Sequence, residues 1–244
     1  MRNLLLELRY DGSDFHGWQI QKDDITVQQI MTEAFLKVTG EKVNITGCSR
    51  TDTGVHANMY CCNLHSESEI PASNFPNALN FYLPPTISVY GCKEVDDSFH
   101  ARFDAKEKEY IYLIYNGKYR NPFYEKRALL YSYKLDEKYL NEIVQIFKGK
   151  HDFSAFCNAG SDVEDKTRTI YDISLERENE LVKVKIRGDG FLYNMVRIIV
   201  GTLLDISNGK IDPSSLIDII ESKDRNKAGV TAPAHGLYLN KVIY

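Results

Sequence analysis

Between two apolar, β-prone runs lies a polar turn, Gly47-Cys48-Ser49-Arg50-Thr51-Asp52-Thr53-Gly54-Val55-His56-Ala57. An aspartate with an ordinary pKa near 3.9 is ionised at neutral pH. Such a carboxylate can attack a carbon centre and split one difficult step into two easier ones. An Asp followed two residues later by Gly is equally ordinary turn chemistry, so the segment alone leaves catalysis and turn formation both open. A second charged residue stands out for its company: Arg197 is flanked by Met195, Val196, Ile198, Ile199 and Val200. An arginine among so many apolar residues needs a partner, unless it snorkels from an exposed helical face. Cys48, His56, Cys61, Cys62 and His65 offer metal-ligand types, but consecutive cysteines on a strand point to opposite faces, and the spacing fits no zinc site. No metal is expected, which weighs against a hydrolase built on Asp52 and the nearby histidines.

The elements that position these residues follow from patterning. Leu4, Leu6, Leu8 and Tyr10 alternate with Glu7 and Arg9, predicting a strand that ends at Asp11-Gly12-Ser13. Val27, Ile30, Met31, Ala34, Phe35 and Val38 form one helical stripe, opened by Thr26 and Gln29 in capping-box spacing and closed by Gly40. Further strands are predicted over 43–48, 57–65, 86–95, 108–116, 168–177 and 180–187, and helices over about 137–148 and 190–205. Another helix should begin at Asp212-Pro213. The expected class is α+β. Two similar α/β halves, 1–104 and 105–244, should meet near residue 105 and share an extended, mostly antiparallel sheet flanked by helices.

Composition narrows the setting. The 244 residues are 43% hydrophobic and 26% charged, ordinary for a folded protein that buries its own core. No run of 18 apolar residues suggests a membrane span, and the charged N-terminus lacks a signal-peptide core. Five cysteines with no C-x-x-C pair fit reduced thiols and a cytoplasmic location. The formal net charge is −4. Two stretches run the other way: 105–127 has six basic against three acidic residues, and 183–197 has four against one. They are candidate walls of a phosphate-binding cleft or, as composition alone favours, two solvated strand faces.

The Asp52 segment resembles the G-R-T-D-x-G-V-H-A motif of the tRNA pseudouridine synthase A (TruA) family, with Ser49 in place of the commoner glycine. The resemblance continues through Tyr10-Asp11-Gly12, Phe15-His16-Gly17-Trp18-Gln19, Thr26-Val27-Gln28, Leu79-Asn80, Leu83-Pro84 and Phe99-His100-Ala101-Arg102-Phe103. It resumes at Lys108-Glu109-Tyr110, His151-Asp152-Phe153, Gly190-Phe191-Leu192, Met195-Val196-Arg197, Gly201-Thr202-Leu203, Ala232-Pro233 and Gly236-Leu237-Tyr238-Leu239. These matches span nearly the whole chain in family order.

The resemblance implies a pseudouridine synthase fold. It implies an enzyme that works without cofactor, as a homodimer, isomerising uridine on the 3′ side of the tRNA anticodon stem-loop. By motif position, Asp52 is the catalytic carboxylate and Arg197 its ion-pair partner. Arg50 supports the flipped-out nucleotide, Tyr110 stacks on the uracil, and Phe191 and Leu192 line the pocket around the base. His16, His56 and Trp18, also in family motifs, are expected to pack and hydrogen-bond rather than react. The competing readings are a noncatalytic RNA-binding protein of the same fold and a synthase for another RNA.

Overall fold

The computed structural model describes residues 1–160 and 163–244. Its first half runs β1 (Arg2–Tyr10), α1 (Val27–Thr39), β2 (Thr46–Gly47), β3 (His56–Ser66), α2 (Phe75–Tyr82) and β4 (Ile87–Val95). There follow β5 (Glu107–Tyr115), β6 (Leu129–Leu130), α3 (Glu137–Ile143), β7 (Gly149–Asp152), β8 (Thr167–Glu178) and β9 (Leu181–Gly188). The chain ends with α4 (Met195–Ser207), α5 (Leu216–Ser222) and β10 (Leu237–Ile243). These elements belong to two units, Met1–Lys106 with Tyr238–Tyr244, and Glu107–Leu237.

In the first unit the strand order is β4-β1-β3-β10, with β2 added on β3. β1 pairs antiparallel with β3 (Leu6 opposite Cys62) and with β4 (Leu6 opposite Cys92), while β10 runs parallel to β3 with Tyr238 opposite His56. Alternation alone would send Leu5 to solvent. It is buried with Leu4, Leu6 and Leu8, because a central strand is covered on both faces. The Thr26 hydroxyl accepts the Gln29 N–H and Gly40 closes α1 at φ 77°, so both caps read from sequence are present. Helix α2, which periodicity did not mark, is tied to α1 by parallel stacking of Phe35 on Phe75 at 5.4 Å.

In the second unit the order is β5-β9-β8-β7, all neighbours antiparallel, with β6 parallel to β5. Val182, Val184 and Ile186 alternate with lysines and arginine along β9, and the apolar set is fully buried. The predicted 190–205 helix begins later, at Met195, because Asn194 has φ 62° and interrupts the helical path. The predicted 137–148 helix tightens into a 3₁₀ turn at Val144–Phe147. Asp212 caps a 3₁₀ turn, Pro213–Ser215, and α5 starts only after it. No helix among the described residues is long and apolar enough to cross a membrane.

Arg177 staples α3 to β8. Its guanidinium donates to Glu137 at 2.8 Å, to the Leu135 carbonyl at 2.8 Å and to Asn116 at 3.1 Å. The hydrogen bond from Arg177 holds the Glu137 carboxyl below its ordinary value near 4.5. A depressed carboxyl pKa stabilises the fold above the unfolded value, and that contribution is lost as pH falls through the folded one. Prediction: Glu137→Gln costs about 1 kcal/mol at neutral pH. The gap between wild-type and variant melting temperatures then closes as the buffer is taken toward about pH 3. A gap that persists in acid would show that the contribution is not the ion pair.

Candidate active site

The Asp52 turn is held by its backbone. The Asp52 carbonyl accepts the Val55 N–H at 3.1 Å, and Gly54, at φ 78°, donates to the Phe15 carbonyl at 3.2 Å. The Thr51 carbonyl accepts the Trp18 N–H at 3.2 Å, and the Thr51 hydroxyl meets the Tyr10 hydroxyl at 2.8 Å. Two glycines of the 12–18 segment let the chains approach this closely. A Cβ on Gly12 would lie 1.9 Å from the Val55 carbonyl oxygen, and one on Gly17 would lie 2.3 Å from that of Thr51. The segment is in turn tied to α1, since the Gly17 carbonyl accepts the Val27 N–H and the Trp18 carbonyl the Gln28 N–H.

Beneath the turn, Trp18 stacks on Tyr60 at 4.1 Å, both rings buried, and the Tyr60 hydroxyl donates to the Ser49 carbonyl. His56 is buried and stacked on Tyr238 at 4.5 Å. Its Nδ1 accepts the Gly12 N–H at 3.0 Å. A backbone N–H can only donate, so Nδ1 carries the lone pair and the imidazole is neutral in this contact. The Asp11 carboxylate, 3.2 Å from Nδ1, is occupied by the Ser13 N–H and hydroxyl. Exposed His16 lies 3.3 Å from Asp24. Asp52 itself is only half-buried, and Arg50 is exposed. The arrangement presents a carboxylate at the tip of a turn whose backbone has little freedom.

In the second unit buried Tyr110 on β5 meets half-buried Phe191 edge-on at 5.1 Å, so two of the residues singled out from sequence are in contact, with Leu192 buried beside Phe191 in the chain. Arg197 sits in the first turn of α4, most of whose other residues are buried. Its Nε donates to the Ala232 carbonyl at 2.7 Å and its Nη1 to the Asn194 side chain at 2.6 Å. The 229–236 segment, which ends in a 3₁₀ turn at Ala234–Gly236, is pressed onto the helix: a Cβ on Gly201 would lie 1.7 Å from the Val230 carbonyl oxygen, and the Thr202 hydroxyl accepts the Gly229 N–H. On the same segment, burial pushes the His235 pKa below its ordinary value.

One expectation is corrected. The 183–197 stretch does not present a bare basic face, because Lys183 pairs with Glu178 at 3.1 Å, Lys185 with Glu176 at 2.8 Å and Arg187 with Glu107 at 2.6 Å. The cysteine and histidine set near Asp52 is dispersed as well. Cys48 accepts the Cys61 N–H through sulfur, His65 hydrogen-bonds the Asp97 carbonyl, and burial raises the Cys61 thiol to about 12. Among the described residues, no group of three His, Cys, Asp or Glu side chains is arranged to hold a metal ion.

A family model described as tRNA pseudouridine synthase matches residues 8–104 and 143–244. The chain belongs to the tRNA pseudouridine synthase family. Proteins named tRNA pseudouridine synthase A align end to end with it. The protein from Acetivibrio thermocellus is 50% identical and that from Thermoanaerobacter sp. strain X514 is 48% identical, each over 100% of both chains. That from Clostridium acetobutylicum is 44% identical over the same coverage. A solved Cbf5-Nop10-Gar1 complex aligns over 80% of this chain and 52% of its own at 12% identity and TM-score 0.36, too distant to carry an argument. Arg50 and Asp52 fall in the first matched segment of the family and Phe191, Leu192 and Arg197 in the second, while Tyr110 falls between them.

Sequence reasoning missed the parts that fix the turn. Gly12 and Gly17 stood inside noted motifs, yet nothing in a sequence tells which carbonyl a missing Cβ makes room for. Asn3, a polar residue on an apolar strand that patterning did not mark, is buried.

Proposed function

We propose that this protein isomerises uridine to pseudouridine on the 3′ side of the tRNA anticodon stem-loop, with Asp52 as the catalytic carboxylate. The observation that carries the reading is the turn itself: a partly exposed carboxylate held by backbone hydrogen bonds and two glycine contacts, inside the first segment that matches the family. The reaction breaks the N1–C1′ bond and joins C1′ to C5, and the proton leaving C5 is balanced by one gained at N1. Nothing is oxidised or reduced, so a positioned carboxylate and a held base are enough.

Uridine stacked in RNA must be extruded at a cost of a few kcal/mol. The Tyr110–Phe191 pair is the proposed partner of the extruded uracil, since base–aromatic stacking contributes about 1–3 kcal/mol per base. Leu192 adds apolar lining, and Arg50, exposed beside Asp52, supports the extruded state. Arg197, anchored at Ala232 and Asn194, is the proposed ion-pair partner of Asp52 on the strength of its motif. A homodimer acting in the cytoplasm completes the proposal, and light scattering that returned a monomer mass would remove the first part.

The test is pseudouridine formation in unmodified tRNA transcripts, mapped nucleotide by nucleotide in buffer containing a chelator. Product on the 3′ side of the anticodon stem-loop is the expected result. Product only elsewhere would overturn the assigned site, and no product would favour a noncatalytic RNA-binding protein.

A further inference from the structure

Beside the Asp52 turn the first unit holds a cavity of about 220 Å³ whose lining includes Arg50, Gln19, Asn44, His100, Arg102 and Phe103, and no carboxylate. A guanidinium such as that of Arg102 in the wall is a ready donor to phosphate oxygens. The cavity is smaller than the roughly 300–1,000 Å³ typical of sites that enclose a small molecule, and suits part of a longer chain.

The turn that carries His100, Arg102 and Phe103 is built with unusual investment. Asn3, 1% exposed, donates to the Asp96 and Phe99 carbonyls at 2.9 Å. Asn63, 4% exposed, donates to the Asn3 side chain at 2.9 Å and to the Phe99 carbonyl at 3.1 Å, and accepts the Ala101 N–H at 2.9 Å. Buried amides are costly unless fully paired, and here their pairing is spent on one surface turn. The Tyr244 hydroxyl adds a bond to the Ala101 carbonyl at 2.9 Å. Within the turn, His100 accepts the Arg102 and Phe103 N–H groups at Nδ1 and stacks on Phe103 at 4.3 Å, and the Arg102 guanidinium lies 5.6 Å from the same ring. Phe103 is nonetheless 74% exposed. A large aromatic ring braced on a fixed turn and left facing solvent, next to arginines, has the parts of a single-strand stacking platform.

We propose that this cavity is a second RNA subsite, in which Phe103 stacks on the base of an unpaired nucleotide flanking the reacting uridine while Arg102 holds its phosphate. The inference rests on the reading of the Asp52 turn as the reaction site. Both Arg102 and Phe103 are exposed, so their replacement leaves the fold intact. With an unmodified tRNA transcript as the probe, Phe103→Leu is expected to weaken binding about five- to a hundred-fold, and Phe103→Trp to retain it. Arg102→Gln should flatten the slope of log affinity against log salt by about one. In turnover, the change should fall on KM far more than on kcat. Wild-type affinity and salt slope in both Phe103→Leu and Arg102→Gln, with wild-type protein active on the same transcript, would overturn the subsite alone. Weakened binding in these variants together with no pseudouridine from wild type would uphold RNA binding at Phe103 and Arg102, and overturn both the assigned reaction and the subsite's place beside a reacting uridine.

Discussion

Asp52→Asn is expected to abolish pseudouridine formation, lowering kcat by at least about 10⁴-fold while tRNA affinity and melting temperature stay near wild type. That factor corresponds to about 5.5 kcal/mol of lost transition-state stabilisation. The reason to expect a clean result is that asparagine leaves the turn's backbone ties in place. The described ties are the Asp52 carbonyl to Val55, Gly54 to Phe15 and Thr51 to Trp18 and, through its hydroxyl, to Tyr10. Asparagine keeps the shape and removes the charge and the nucleophile. Asp11 provides the contrast, because its carboxylate accepts from Ser13 and caps a turn. Asp11→Ala should cost about 0.5–2 kcal/mol of stability, with a far smaller effect on rate. The measurement is single-turnover product formation with saturating enzyme. An Asp52→Asn protein retaining a tenth of wild-type rate would eliminate the carboxylate as the reacting group.

What the sequence made legible was whatever is encoded within a few residues. Helix α1 announced itself through Thr26 and Gly40, because caps act on their own first and last turns. Helix α2 did not, since its eight residues carry a proline and only Phe75 and Leu79 are buried, too few to define a stripe. Asn194 reads as one more polar residue before an apolar helix, and only its left-handed backbone shows why α4 starts at Met195. The charge of the 183–197 stretch misled for a similar reason. Glu176 and Glu178 lie on the neighbouring strand, and Glu107 is 80 residues away, so counting along the chain could not discharge the lysines and arginine. In the candidate site the types of residue were readable and their fixation was not. Asp52 and Arg50 stood out by motif, whereas the contacts of Gly12 and Gly17, and the Asn3–Asn63 pair that braces Phe103, exist only once distant segments meet.

The same glycine contacts give the second large effect. Gly17→Ala is expected to destabilise the protein by about 2–4 kcal/mol. That is a fall in melting temperature of roughly 5–15 °C. It should also slow turnover about 10²-fold. Two penalties combine. Gly17 has φ +80°, a conformation that L side chains adopt at a cost of about 1–2 kcal/mol. The added Cβ would also stand 2.3 Å from the Thr51 carbonyl oxygen and 3.1 Å from the Asp52 carbonyl carbon, and both obstacles are backbone that cannot rotate aside. Relief therefore requires the 51–52 segment to move, and a displacement near 1 Å at a reacting group is enough for a hundred-fold loss. Gly40→Ala separates the two penalties, because Gly40 has φ +77° with nothing within 4 Å of the new Cβ. It should pay the conformational cost alone and leave kcat at the wild-type value. If Gly17→Ala turned over as fast as Gly40→Ala, the Asp52 turn would owe its position to something other than the close approach of residue 17. If it were slower by the expected factor at equal occupancy of tRNA, the absence of a single Cβ would account for where the carboxylate stands.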